Sequence, residues 1–401
     1  MNNKKILSVI QHYRYHHVFR KKKESISPMA RIAFVISFPA SWRSVASVYC
    51  EAIKKGIDTC IVAVPQPTDG KGNNSTYTFF ESQGIKAVPC LDIDGQQNFD
   101  LKNWKPDYVF YTRPYNSEYP VEYRSYSVCK YSNICFVPYG FLLKDGYLCN
   151  SVYSWSFVLG AKYSFVQSIN QKKMCEERFW WQTKRGLNQF EYLGSPRFDF
   201  LKQIKSSTGK DSFTIAWMPR WEFRNKAGHD GQSLSHFLDY VYKFMDYVHE
   251  YPETNLIIRP HPLMFHTIIE EGVLSESELQ HLLEKINSIS NIVLDNSSDY
   301  INTIQSSDVL VADLTSVLVE YFMTGKPIIY CDTYEGFNDD GKLLAQGLYQ
   351  VNSWSALENR LQLLENGNDA KAESRKVIRG KFIPSEDNDS ASRIIRFLGV
   401  R

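Results

Sequence analysis

Short apolar runs alternate with amphipathic stretches along most of the chain, and the runs end at proline, glycine or charged residues. Arg31–Phe38 is apolar after its first residue except at Ser37 and is followed by Pro39, which predicts a strand buried on both faces. Residues 44–55 have helical character and stop at Gly56, a residue suited to the left-handed position after a helix. Strands are predicted at 59–64, 85–88, 108–111, 133–137 and 161–166, with helices over 79–84 and 171–181. The polar, turn-rich segment 205–211 reads as a linker. A second alternating series follows, with strands at 213–217, 255–259, 292–294, 309–312 and 327–331. Helices are predicted at 235–251, 275–286 and 316–324. Two alternating series imply two parallel sheets, each covered by helices on both faces. The expected organisation is a basic arm over 1–30, a first Rossmann-type lobe over 31–204 and a second over 205–401. The fold class is α/β of GT-B type, two such lobes facing a central cleft. Ligands in such sheets bind beyond the strand C-termini.

Apolar residues make up 43 % of the 401, enough for two full-sized cores, and about 150 residues per domain suggests two or three domains. No run of apolar residues is long enough to span a bilayer as a helix, since about 20 are needed. The early apolar run Ile6–Ile10 is too short for a secretory signal, so a cytoplasmic enzyme is expected. The eight cysteines form no CxxC pair and no Cys/His cluster with zinc spacing, and read as buried thiols in a reducing compartment.

The chain's net charge of +2 conceals an asymmetry. The first 31 residues hold eight basic side chains against Glu24 alone, a net of +7, so the remainder is −5. Residues 1–24 therefore suit an anionic membrane surface, and Ile6, Val9, Ile10, Tyr13, His17 and Val18 add a stripe at helical spacing. The alternatives are a solvated tail or a helix packed on the body. The basic residues are confined to this arm, which argues against nucleic acid as a partner.

Five motifs lie at predicted strand ends or turns. Asn255–Pro262 runs from an apolar strand into Arg259-Pro260-His261-Pro262. Proline fixes φ and holds its predecessor extended, so this loop is stiff and can aim a guanidinium and an imidazole at one point. Arginine grips phosphate with two parallel hydrogen bonds, and histidine can move a proton. A structural loop with a satisfied histidine is the competing reading. The segment 306–316 runs from a buried strand into Asp313, Thr315 and Ser316 at a helix start, where free N–H groups suit a pyrophosphate. Glu320 follows, placed to accept from ribose hydroxyls. Simple N-capping by Asp313 or Thr315 explains the same residues. Weaker signals are Val137-Pro-Tyr139-Gly140, Gly194-Ser195-Pro-Arg197-Phe-Asp199 and Pro219-Arg220-Trp221.

The order of these motifs resembles the CDP-glycerol glycerophosphotransferase family, the teichoic acid and capsule polymerases and primases, over residues 133–335. The resemblance implies a GT-B fold and a transferase that moves glycerol or ribitol phosphate from a CDP-activated donor to a glycan or lipid-linked acceptor, releasing CMP. It implies that His261, Arg259 and the residue at Tyr139 are catalytic. Donor contacts are implied for Arg220, Asp313, Thr315, Ser316, Glu320, Gly194, Ser195 and Arg197. Location on the inner face of the cell membrane follows from the arm and the lipid-linked acceptors. No cofactor or metal is expected. Two departures stand out. The family has His-Gly where this chain has Tyr139-Gly140, and Pro-Thr-x-Arg where it has Pro219-Arg220-Trp221-Glu222. They keep open a glycosyltransferase using a nucleotide sugar. A nucleotide-sugar epimerase and a non-catalytic binding protein are the more distant alternatives.

Overall fold

The computed structural model describes residues 30–144, 152–203, 212–223, 235–297, 300–315, 317–331, 336–385 and 389–400. The basic arm up to residue 29 and the segment 205–211 lie outside them. The chain divides into two compact units, one of residues up to Lys202 together with the C-terminal segment from Phe382, the other spanning Gln203–Lys381.

The first unit is built on seven strands: β1 (Arg31–Ile36), β2 (Asp58–Ala63), β3 (Val88–Pro89), β4 (Tyr108–Tyr111), β5 (Asn133–Phe136), β6 (Ala161–Phe165) and β7 (Gln189–Glu191). All pair in parallel, in the order β3-β2-β1-β4-β5-β6-β7. β1 is an interior strand, with Ile32 beside Thr59 on one flank and Tyr108 on the other. After its first residue β1 is buried throughout, as is all of β4, which is why both read as unbroken apolar runs.

The second unit repeats the plan with β8 (Phe213–Met218), β9 (Thr254–Ile258), β10 (Ile292–Leu294), β11 (Val309–Ala312), β12 (Ile328–Tyr330) and β13 (Tyr349–Gln350). Their order is β10-β9-β8-β11-β12-β13, again parallel. Trp217 of β8 is buried and meets Phe237 and Phe244 of the amphipathic helix Phe237–Glu250, anchoring that helix on the sheet.

In each unit the chain lays three strands in one direction, then returns to the other side of the first. The order reverses between β1 and β4 in one sheet and between β8 and β11 in the other. Loops leaving the two strands at such a point turn opposite ways and open a crevice at the C-terminal edge.

The expectation of a second lobe running to residue 401 is corrected by the C-terminal helix Ser390–Phe397, which belongs to the first unit. Its buried face of Ala391, Ile394 and Ile395 joins the core that contains Ile32, Phe34 and Val48. Each fully buried isoleucine contributes about 1.5–3 kcal/mol. The hydroxyl of buried Tyr108 donates to Leu398 O at 2.8 Å. Asp199 accepts from Ser390 N at 2.9 Å and Ala391 N at 3.0 Å, capping the helix start. No helix among the described residues is long and apolar enough to cross a membrane.

Candidate functional site

At the crossover of the second sheet, β8 ends in Pro219-Arg220 and β11 in Asp313. The Asp313 carboxylate is 1 % exposed and gathers three groups from two residues. Arg220 N donates to Oδ2 at 2.9 Å, His236 N donates to Oδ2 at 3.2 Å, and His236 Nδ1 lies 2.6 Å from Oδ1. Asp313 thus joins the ends of β8 and β11 to the N-cap residue of the helix Phe237–Glu250. This buried carboxylate positions the loops that leave β8 and β11. The Arg220 guanidinium pairs with Glu222.

His261 follows β9, whose end neighbours that of β8. Its ring lies over Trp221, centroids 5.7 Å apart and planes at 28°. Nδ1 accepts from Leu263 N at 3.2 Å. In the neutral ring that acceptor role leaves the proton on Nε2. The side chain is exposed, yet the surrounding protein desolvates it enough to lower its pKa from the ordinary 6.5. Glu222 opposes that shift and Arg220 adds to it, so both stand near the imidazole.

Arg259 is committed elsewhere. Its guanidinium donates to Asp295 Oδ2 at 2.6 Å, Ser297 Oγ at 3.1 Å and Ser297 O at 2.7 Å. Burial raises the Asp295 pKa, but hydrogen bonds from Ser297 and Thr303 and the Arg259 partner outweigh it and hold the group at about 2. Arg259 ties the end of β9 to the segment after β10, which fixes the base of the His261 loop.

Thr315 follows β11, and its hydroxyl accepts from Val317 N at 3.5 Å. Ser316 lies outside the described residues. The helix that begins here is short, Val317–Phe322. Glu320 within it is 2 % exposed and accepts from the Tyr300 hydroxyl at 3.1 Å. The structure therefore brings Arg220, His261, Asp313 and Thr315 to one edge of one sheet, with Glu320 beneath the surface.

The other sequence-selected residues belong to the first unit. Tyr139 follows β5, and its hydroxyl lies 3.3 Å from that of Tyr115. Burial, then the Tyr115 contact, raises the phenol pKa well above its ordinary value. A phenol shifted that way stays protonated near neutrality, in line with the expectation that Tyr139 is a poor base. Arg197 is 8 % exposed and donates to Tyr139 O at 2.6 Å and Ser44 Oγ at 3.3 Å. Ser195 is 1 % exposed. Gly194 has φ +87°, and a Cβ there would lie 2.5 Å from Ser390 Oγ. Within the first unit Asp199 holds the start of the C-terminal helix, Gly194 packs closely on Ser390 and Arg197 holds the Tyr139 turn.

Sequence reasoning passed over His236, Asp295 and Arg113. Two had a legible signal: Leu294-Asp295 repeats the strand-end aspartate of Ala312-Asp313, and Arg113-Pro114 after β4 repeats Arg259-Pro260 after β9.

The sequence pattern of the CDP-Glycerol:Poly(glycerophosphate) glycerophosphotransferase family matches residues 148–399. No curated protein matches the chain in sequence. Among solved structures, the UDP-GlcNAc 2-epimerase of Neisseria meningitidis bound to UDP-GlcNAc is similar with a TM-score of 0.61 and 14 % identity, over 92 % of this chain and 100 % of that one. The wall teichoic acid polymerase TagF is similar with a TM-score of 0.56 and 14 % identity, over 100 % of this chain and 98 % of that one. S. aureus MnaA in complex with UDP gives 0.57 and 12 %, over 93 % and 98 %. These likenesses establish a GT-B-like fold of two parallel-sheet lobes. Because the family pattern covers more than half of the chain, including the β8, β9 and β11 ends gathered around Asp313, the protein belongs to the CDP-glycerol:poly(glycerophosphate) glycerophosphotransferase family.

Proposed function

We propose that the protein transfers glycerol or ribitol phosphate from a CDP-activated donor to a hydroxyl of a surface-polymer or lipid-linked acceptor, releasing CMP. The observation that carries this reading is the convergence of Arg220, His261 and Thr315 at the crossover of the second sheet, in a chain of this family. The donor nucleotide lies along residues 313–320. Thr315 and Ser316 supply hydroxyl donors to its phosphates, and Arg220 exchanges part of its pairing with Glu222 for them. Glu320 supports the ribose end through Tyr300.

The acceptor oxygen attacks the β-phosphorus, the bond to CMP breaks, and the electron pair leaves with CMP. Such transfers run through a loose transition state in which charge spreads over the phosphoryl oxygens. His261 presents Nε2–H, so in its neutral form it serves as a hydrogen-bond donor to a phosphate oxygen. Arg259 acts one step removed, by holding the loop. The test is product analysis: CDP-glycerol or CDP-ribitol with a soluble acceptor should yield CMP. Release of a nucleoside diphosphate from a nucleotide sugar instead would replace this reading by glycosyl transfer.

The basic arm, in this account, holds the enzyme at an anionic inner membrane surface bearing its acceptor. The motive is the +7 net charge of the first 31 residues. Its attraction is screened over roughly 8 Å at physiological salt. Removing residues 1–24 should abolish binding to vesicles containing anionic lipid at low salt; equal binding by the full and shortened chains would rule the arm out.

A further inference from the structure

Two histidines stand at the C-terminal edge of the second sheet, and their hydrogen bonds set opposite tautomers. His261 Nδ1 accepts from Leu263 N, which leaves the ring proton on Nε2. His236 has a carboxylate on the same nitrogen, with Nδ1 2.6 Å from Asp313 Oδ1. The other oxygen of that carboxylate accepts from Arg220 N at 2.9 Å and His236 N at 3.2 Å. A carboxylate that accepts at Oδ2 accepts at Oδ1 as well, so the His236 proton is assigned to Nδ1. The lone pair of its neutral ring is then on Nε2.

The His236 ring is held on a second side. Its face lies on Tyr240, centroids 5.3 Å apart and planes at 18°. Tyr240 is 4 % exposed and packs in turn against Trp354. Burial, with Cys331, Asp239 and Asp313 adding to it, pushes the Tyr240 phenol up to about 12, so it stays neutral beside the imidazole. The helix start is already tied to β11 through the backbone N–H of His236; the second bond, to the ring, fixes the imidazole rather than the chain. The His236 side chain keeps 27 % exposure against 1 % for Asp313, so a ligand can reach the imidazole but not the carboxylate. A buried carboxylate on Nδ1 holds an imidazole with its lone pair on Nε2 and stabilises the imidazolium that forms there. The pair also stands where the sheet order reverses, the place expected of a ligand site.

We infer that His236, oriented by Asp313, is the group that takes the proton of the acceptor hydroxyl. The inference rests on the polyol-phosphate transfer proposed above. That reading lays the donor along residues 313–320, and Asp313, which holds His236, is the first of them. Whatever holds the rest of the acceptor, its attacking oxygen must come within bonding distance of the donor's β-phosphorus, so a base on the donor's own unit can meet it. In the step, the acceptor O–H gives its proton to His236 Nε2; the new O–P bond forms; and the P–O bond to CMP breaks with the electron pair on CMP. The imidazolium, steadied by Asp313, then passes its proton to solvent. Phosphoryl transfer uses such a residue to orient the nucleophile and accept its proton. The two tautomers divide the work, His236 receiving a proton on Nε2 and His261 presenting one.

The test uses the full chain, CDP-glycerol and a soluble glycerol-phosphate oligomer. Calorimetry with CDP reports donor binding, and CMP release with and without the oligomer separates transfer from donor hydrolysis. His236→Asn puts an amide N–H where Nδ1–H was, so it keeps the Asp313 contact and suits the N-cap position, but it has no nitrogen at Nε2. Acceptor-dependent CMP release should fall by about 10²–10⁴-fold while CDP affinity and melting temperature hold. His236→Ala should lose as much, and added imidazole should restore part of its transfer. Unchanged transfer by His236→Asn overturns the inference. So does joint loss of CDP affinity, melting temperature and transfer in both variants with no recovery in imidazole, the pattern of a purely structural pair. Failure of the wild-type protein to release CMP from CDP-glycerol would overturn the underlying reading, a result distinct from either.

Discussion

Replacing Asp313 by alanine should loosen the second unit more than any other single change at its crossover. The carboxylate is 1 % exposed and takes the backbone N–H of Arg220 and of His236 as well as the His236 ring. Truncation strands two backbone donors where water reaches them poorly. Each buried donor left unsatisfied costs about 1–3 kcal/mol, so a loss of about 2–4 kcal/mol is expected after partial relaxation. For a unit of this size 1 kcal/mol moves the midpoint by roughly 2–4 °C, which gives a fall of about 5–15 °C. Scanning calorimetry measures it, and the second unit's transition is the one that CDP raises, since a ligand of the folded form stabilises it by mass action. Affinity for CDP should drop too, because Arg220 and Thr315 lose their common anchor. Asp313→Asn should fall between, keeping one acceptor oxygen. A melting profile and CDP affinity both indistinguishable from wild type would refute the view that this carboxylate assembles the site.

His261→Ala should leave the melting temperature nearly unchanged, because the side chain is exposed, and cut transfer by about 10²–10⁴-fold. The lowered His261 pKa means the neutral, Nε2–H form persists below pH 6.5, so the limb belonging to His261 should lie on the acid side of that value and disappear in the variant. Asp199→Ala removes the acceptor of two backbone N–H groups at the C-terminal helix and should cost about 0.5–2 kcal/mol. Limited proteolysis should then release a fragment beginning near residue 385 sooner than in wild type; equal rates would count against that hold.

How much of this was legible in the sequence depends on the range of the interaction. Buried parallel strands announce themselves as apolar runs, and β1, β4, β8 and β11 were readable for that reason. β7 and β13 were not, because three and two residues carry no period. The return of the C-terminal helix to the first unit was invisible, since the amphipathic stripe of Ser390–Phe397 shows that a face is buried but not against what. The same limit applied to the site. Arg259 and His261 were visible as a stiff strand-end loop, but the Asp295 partner that occupies Arg259 comes from the next strand over. Gly194-Ser195-Pro-Arg197 was visible as a motif, and its work on Ser390 and Tyr139 required residues 196 and 58 positions away. Tyr139 could be seen to break the family pattern; that Arg113 lies over its ring could not.

The central claim is that this chain moves a polyol phosphate and leaves CMP. The most direct measurement is mass analysis of nucleotide products after incubating the purified protein with CDP-glycerol, CDP-ribitol and a panel of UDP- and GDP-sugars, each with a soluble glycerol-phosphate oligomer. The account predicts CMP from a CDP-polyol, one polyol-phosphate unit added to the oligomer for each CMP released, and loss of both in His261→Ala. A nucleoside diphosphate formed from a sugar donor, with the CDP-polyols untouched, would contradict it.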